Sequence, residues 1–127
     1  MVAAIVERAG SVLVCRRHDR RGKPGLWEFP GGKIEAGETE QQALVRELRE
    51  ELAVAAEVGG LYLKLEHAYP DLVVELTFLH ATFPDQPAPR ALAAAELRWV
   101  PREGLPRLPF LEADRALVER LAAEPGR

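Results

Sequence analysis

Cysteine is nearly absent: the 127-residue chain has one, Cys15. A single thiol excludes an internal disulfide framework and any cysteine-rich zinc site, and it points to a reducing compartment, with the cytoplasm as the default. Cys15 falls on an apolar stretch and reads as an inert, packed thiol. Long apolar runs are missing too. The chain enters an apolar stretch at Val2 without a basic lead-in, and nothing approaches the ~18 apolar residues of a spanning helix, so it reads as soluble and untargeted, with no membrane partner. Nor is there a basic excess: 17 Lys and Arg stand against 20 Asp and Glu, a net charge of −3, and nothing global points to a nucleic-acid polymer. His18, His67 and His80 are scattered, without i,i+4 pairing or a nearby nucleophile. With 47% apolar and 29% charged residues, and no repeat or linker, the chain reads as one compact domain over residues 1–127.

What is present begins with two short apolar runs, Val2 to Val6 and Ser11 to Arg16, broken by Ala9-Gly10, which predict two strands and a tight turn. A polar loop follows to Gly25, with Arg16, Arg17, Arg20, Arg21 and Lys23 making it strongly basic. Trp27-Glu28-Phe29-Pro30-Gly31-Gly32 and then Gly37 mark backbone that turns or approaches something closely. Thr39 with Gln42 is a capping-box signature, and Leu44, Val45, Leu48 and Leu52 recur at helical spacing, predicting a helix over about Glu40 to Leu52. Glu57 to Glu66 and Leu72 to Phe83 predict two strands around Tyr69-Pro70-Asp71. Leu97 to Val100 predicts a short strand, and Leu111 to Ala123 an amphipathic terminal helix with Leu117, Val118 and Leu121 inward. Together these elements make an α/β fold with a mixed β-sheet and at least two helices.

The first helix carries the chemistry. At about 100° per residue, Leu44, Leu48 and Leu52 share one face, and Glu47, Glu50 and Glu51 cluster on its flank. Glu47 has acids at i+3 and i+4, with Leu44 and Ala43 at i−3 and i−4, so no cation of its own helix is expected to relieve it. One reading is a solvated acidic face. The other supplies the missing cation as a metal, and oxygen-only donors without His or Cys suit Mg²⁺ or Mn²⁺. Two neighbours favour the metal: Gly31 and Gly32 allow a backbone carbonyl into the site, and the basic loop could hold phosphates against the ion. Acids, metal and cations together describe phosphoryl or pyrophosphoryl chemistry.

Gly32, five residues, Glu38, seven more, then Arg46-Glu47-Leu48-Arg49-Glu50-Glu51-Leu52-Ala53-Val54 resembles the Nudix box of the Nudix hydrolases. Every charged position of that pattern is present at its spacing; the one departure is Ala53, where the family usually has glycine to end the helix. The likeness extends over most of the chain and is nearest to the MutT-type nucleoside triphosphate pyrophosphohydrolases. It is carried also by Val12-Leu13-Val14-Cys15-Arg16-Arg17, by Trp27 to Glu35, by Tyr69-Pro70-Asp71 and by Leu111-Glu112-Ala113-Asp114.

The resemblance implies a Nudix-type α/β/α sandwich and Mg²⁺- or Mn²⁺-dependent hydrolysis of a small-molecule nucleotide. In MutT-like members water attacks the β-phosphorus of a (deoxy)nucleoside triphosphate, giving NMP and pyrophosphate. It also implies roles for individual residues. Glu47, Glu50 and Glu51, with the Gly32 carbonyl, become metal ligands, and Glu96 a further ligand or the base, with Glu47 the first choice as general base. Glu38 and Arg46 become structural partners that orient the catalytic helix. Arg17 and Lys33 become phosphate contacts, and Phe29, Tyr69 and Asp114 contact the nucleotide, Tyr69 packing on its base.

Asp114 bears on which base is read. The enzymes specific for 8-oxo-dGTP carry asparagine there, whose amide donates to O6 and accepts from N7–H. An ionised aspartate only accepts, so it suits an exocyclic amine, as in CTP, 5-methyl-dCTP or 2-hydroxy-dATP. Two alternatives stay open: a protonated Asp114 could still donate and so read 8-oxo-dGTP, or the residue could simply cap the last helix. Dinucleoside polyphosphate or nucleotide-sugar hydrolysis, and a non-hydrolytic nucleotide-binding module, are the competing functions.

Overall fold

The structure, a computed structural model, describes residues 1–18, 23–84 and 88–124. Strands β1 (Val2–Arg8) and β2 (Ser11–Arg16) form a hairpin. Its turn places Ala9 and Gly10 at φ of 50° and 81°. Two consecutive left-handed residues give the turn whose twist matches that of paired strands. Two-residue strands β3 (Trp27–Glu28) and β4 (Gly31–Gly32) precede helix α1 (Glu40–Leu52), and the long hairpin of β5 (Glu57–Tyr69) and β6 (Leu72–Thr82) follows. Strand β7 (Glu96–Pro101), 3-10 turns at Arg102–Arg107 and Glu112–Asp114, and helix α2 (Arg115–Ala123) complete the described elements.

The sheet order is β3-β2-β1-β6-β5, with β4 added against β1 and β7 against β2. β1 runs parallel to β6, from Val2 opposite Thr77 to Val6 opposite Ala81, while its other pairings are antiparallel. Successive β1 side chains alternate between two cores, as strand geometry requires. Ala3 and Ile5 join Leu117, Val118 and Leu121 of α2. Val2, Ala4 and Val6 join Ala43, Leu44, Leu48 and Leu52 of α1. The expected α/β/α sandwich with a mixed sheet is what the chain forms. The three leucines of α1 are essentially fully buried, each worth about 1.5–3 kcal/mol of apolar burial.

One expectation needs correction. The terminal helix is not continuous from Leu111. Glu112–Asp114 form a tight 3-10 turn, and α-helical geometry begins only at Arg115. The apolar spacing that announced the helix comes from Leu117, Val118 and Leu121, all beyond the break. The 3-10 segment at Arg102–Arg107, which contains Pro106, was not anticipated at all. Arg20 and Arg21 of the basic loop lie outside the described residues. No helix among the described residues is long and apolar enough to cross a membrane.

Candidate active site

Helix α1 is locked at both ends. The Thr39 hydroxyl accepts the Gln42 amide at 3.1 Å, and the Gln42 side chain accepts the Thr39 amide at 2.9 Å, a complete capping box. At the other end Ala53 adopts the left-handed conformation (φ 57°), its N–H donating to the Arg49 carbonyl at 3.0 Å. Alanine therefore takes up the geometry expected of glycine there, at a cost of roughly 1 kcal/mol. Carbonyls of the last turn are occupied as well: Arg90 N–H donates to Leu52 at 2.9 Å and Leu92 N–H to Glu51 at 3.1 Å. These bonds fix the segment leading to β7 against the end of α1.

Arg46 is the hub of the helix's acidic flank. Its guanidinium grips Glu38 at 2.8 and 3.0 Å, reaches the Lys33 carbonyl at 2.9 Å, and touches Glu47 at 3.0 Å and Glu50 at 3.3 Å. This corrects the expectation that Glu47 lacks a cation of its own helix. Helical bookkeeping considers i±3 and i±4, but a long side chain that folds back along the helix can reach its immediate neighbour. Hydrogen bonding from Arg46, joined by the Glu35 amide, lowers the Glu38 pKa. The same bond to Glu38 raises that of Arg46.

Gly32 meets this flank. A Cβ placed there would lie 2.5 Å from the Glu47 carboxylate carbon, so any larger residue would displace that carboxylate from the glycine backbone. That cradle offers oxygen donors alone, which fits the hard divalent ions in kind. Among the described residues no three His, Cys, Asp or Glu side chains gather closely enough to hold an ion in this arrangement.

Glu96 opens β7 opposite Arg16 and lies between two guanidiniums, Arg98 at 2.7 Å and Arg16 at 3.2 Å. Bonding to Arg98 first, then to Arg16, lowers its pKa. A carboxylate so stabilised as an anion is a weak proton acceptor.

Beside the glycine pair opens a cavity of about 570 Å³, lined by Arg17, Glu28, Phe29, Tyr69 and Asp114 among others. Phe29 stacks on Phe110 at 5.4 Å and meets Phe78 edge-on at 6.0 Å, which braces the cavity floor. Arg17 donates to Glu28 at 2.9 Å, with both side chains largely buried. Asp114 is 6% exposed, and its carboxyl makes no capping bond to α2. Burial, reinforced by Glu28 and opposed by Arg17, pushes its pKa up to about 7. Lys33 is exposed and is not part of the cavity lining, so the structure does not join it to Arg17.

Sequence reasoning had passed over Glu28 as a site residue. Its signal was the pattern of a charged side chain between two aromatics, Trp27 and Phe29, both of which are buried.

A family model described as NUDIX domain matches residues 1–120. The chain belongs to the Nudix hydrolase family. The CTP pyrophosphohydrolase of Escherichia coli is 38% identical to this Nudix chain over 124 residues, 97% of this chain and 90% of that protein. An 8-oxo-dGTP diphosphatase of Haemophilus influenzae is 34% identical over 116 residues, 91% of this chain and 84% of that protein. The solution structure of the E. coli ORF135 protein superposes with a TM-score of 0.80 at 39% identity, covering 93% of this chain and 84% of that one. The Nudix motif thus spans Gly32 to Val54, from β4 through α1 to its left-handed cap.

Proposed function

We propose that this Nudix hydrolase cleaves (deoxy)nucleoside triphosphates to NMP and pyrophosphate, and that Asp114 selects bases by the hydrogen-bonding character of their edge. The observation that carries the base assignment is a nearly buried carboxyl in the cavity wall with no capping role. A group desolvated at that cost is available to a ligand. Ionised, it accepts from an exocyclic amine such as N4 of cytosine; neutral, it also donates, as a keto oxygen requires. The relatives named for CTP and for 8-oxo-dGTP stand on the two sides of that choice.

In this reading Phe29 and Tyr69 present apolar surface to the base. Arg17 is oriented by Glu28 toward the phosphates. Glu47, Glu50 and Glu51, with the Gly32 carbonyl, would hold the divalent ion, Mg²⁺ or Mn²⁺, with Glu96 a further ligand. When bound, that ion neutralises phosphate charge and lowers the barrier to water attack. Glu38 and Arg46 hold the helix flank in place. A carboxylate oxygen of Glu47 takes the proton of the attacking water. What favours Glu47 over Glu96 as base is that Glu96 is shared between two guanidiniums, at 2.7 and 3.2 Å, against the single Arg46 contact of Glu47 at 3.0 Å.

The test is kcat/KM for CTP, 5-methyl-dCTP, 2-hydroxy-dATP and 8-oxo-dGTP at pH 6 and pH 8, in the parent and in Asp114→Asn. Amino-bearing bases are expected to lead at pH 8, with 8-oxo-dGTP gaining at pH 6 and in the variant. A parent that prefers 8-oxo-dGTP at pH 8, with a ranking unmoved by Asp114→Asn, removes Asp114 from base selection. Absence of pyrophosphate release from every triphosphate, with Mg²⁺ or Mn²⁺ present, sinks the reaction itself.

A further inference from the structure

Among the described residues two basic side chains, Arg17 and Lys23, line the cavity, and they are held very differently. The Arg17 guanidinium is bonded to Glu28 at 2.9 Å. Lys23 makes no ion pair with a described residue, although Asp71 and Asp114 line the same cavity. Its Nζ instead rests 4.0 Å from the centroid of the Tyr69 ring. A ring quadrupole holds an ammonium far less firmly than an anionic oxygen does. The backbone nevertheless delivers Lys23 to this place with care. Arg17 and Leu26 are bonded at 2.8 Å, and Gly25 and Arg17 at 3.2 Å, which closes the loop at its neck. Lys23 itself takes a left-handed conformation (φ 58°) just before Pro24, a geometry that a lysine rarely adopts.

We propose that Lys23 is a substrate-binding residue, whose ammonium rests on the Tyr69 ring in the open cavity and transfers to the phosphate chain when a nucleotide enters. The flexible four-carbon stem allows the exchange, and a compact ammonium suits a polyanion as a point charge. The move also uncovers the Tyr69 face for the base. Tyr69 does not depend on Lys23 for its orientation, because His67 meets the ring edge-on at 4.6 Å. The inference rests on the triphosphate reading above and adds a phosphate contact, and a competition for one ring face, that the motif does not contain.

The experiment compares binding of cytidine and of non-hydrolysable α,β-methylene-CTP to the parent, Lys23→Ala and Lys23→Arg, with KM and kcat for CTP measured on the same preparations. Lys23→Ala is expected to weaken triphosphate binding about 10-fold, the scale of one charge-assisted contact. The loss should fall on KM rather than kcat and shrink at high salt. Cytidine should bind as well as to the parent or better, since the ring face is freed, and Lys23→Arg should restore the triphosphate. Equal losses for cytidine and triphosphate would reduce Lys23 to a support for the ring and overturn the proposal. Parental affinity for the triphosphate in Lys23→Ala overturns it as well. A parent that binds the analogue but hydrolyses no triphosphate breaks the functional reading while the affinities still decide the role of Lys23.

Discussion

The carboxylates beside α1 and the carboxylate in the cavity are the same chemical group handled in opposite ways. Glu38, Glu47 and Glu50 crowd around one guanidinium, and the Glu38 pKa is lowered by it. Asp114 is buried with a second acid, Glu28, acting on it, and its pKa is pushed up to about 7. In the first region Arg46 holds Glu38 in its charged form. The second can carry a charge or not. On the proposed reading the substrate uses both: the acids of α1 to hold a cation opposite its phosphates, and Asp114 as an adjustable group that tells bases apart.

The largest expected effect breaks the first region. In Glu51→Gln, kcat should fall 100- to 1000-fold, about 3–4 kcal/mol, the scale of a lost electrostatic group at a reacting centre. Steady-state kinetics at saturating Mg²⁺ on a folded protein check it, and near-parental turnover would place the site elsewhere. Asp114→Asn probes the second region through stability. A carboxyl whose folded pKa is raised keeps its proton longer in the folded than in the unfolded chain. Its burial is therefore tolerated below about 4 and opposes folding increasingly as pH rises from 3.8 toward about 7. The variant should gain on the order of 4 kcal/mol at pH 8 and well under about 1 kcal/mol near pH 4. Denaturant melts at the two pH values read this directly, and a gain independent of pH contradicts it.

Arg17→Ala tests the connection between cavity charges. Triphosphate binding should weaken by about 1.5–3 kcal/mol. Because Arg17 holds the Asp114 pKa down while Glu28 pushes it up, the crossover of base preference should also move to higher pH. Equal affinity in mutant and parent returns Arg17 to a purely structural partner of Glu28. The smallest effect is Ala53→Gly, which relieves the left-handed cap without touching a charge. Thermal melting should show about 0.5–1 kcal/mol of added stability at unchanged kcat; a loss would mean the cap is not strained.

Helix α1 was legible to the residue because its signals are local: a capping box, leucines at helical spacing and a defined last turn. The β5–β6 hairpin was plain as well, although β5 runs three residues past the expected Glu66, to Tyr69, and β6 stops at Thr82; so was the motif whose spacing brings Gly32 to Glu47. What escaped reading depends on contacts across the fold. Nothing near Asp114 in sequence announces that Arg17 and Glu28 will act on its carboxyl, because burial is made by segments nearly a hundred residues apart. Arg46 was misread for a different reason, since its reach to Glu47 is a matter of side-chain length rather than helical period. The 3-10 turn at Glu112–Asp114 differs from an α-turn in tightness, which apolar spacing does not record.

The parallel pairing of β1 with β6 has a consequence for the order in which the protein comes into being. Val2 finds its partner at Thr77, and Trp27 is bridged to Phe110. A chain emerging from the ribosome therefore carries its whole catalytic motif long before the strand that completes the central sheet, and longer still before the turn that supplies Asp114. Contacts so distant in sequence close slowly, because the loop entropy must be spent before they form. Until they do, the early half presents the edge of β1 that β6 will cover and the apolar face of α1, a species prone to association. The β1–β6 pairing thus waits for residues 72–82, and the cavity wall for the turn that carries Asp114.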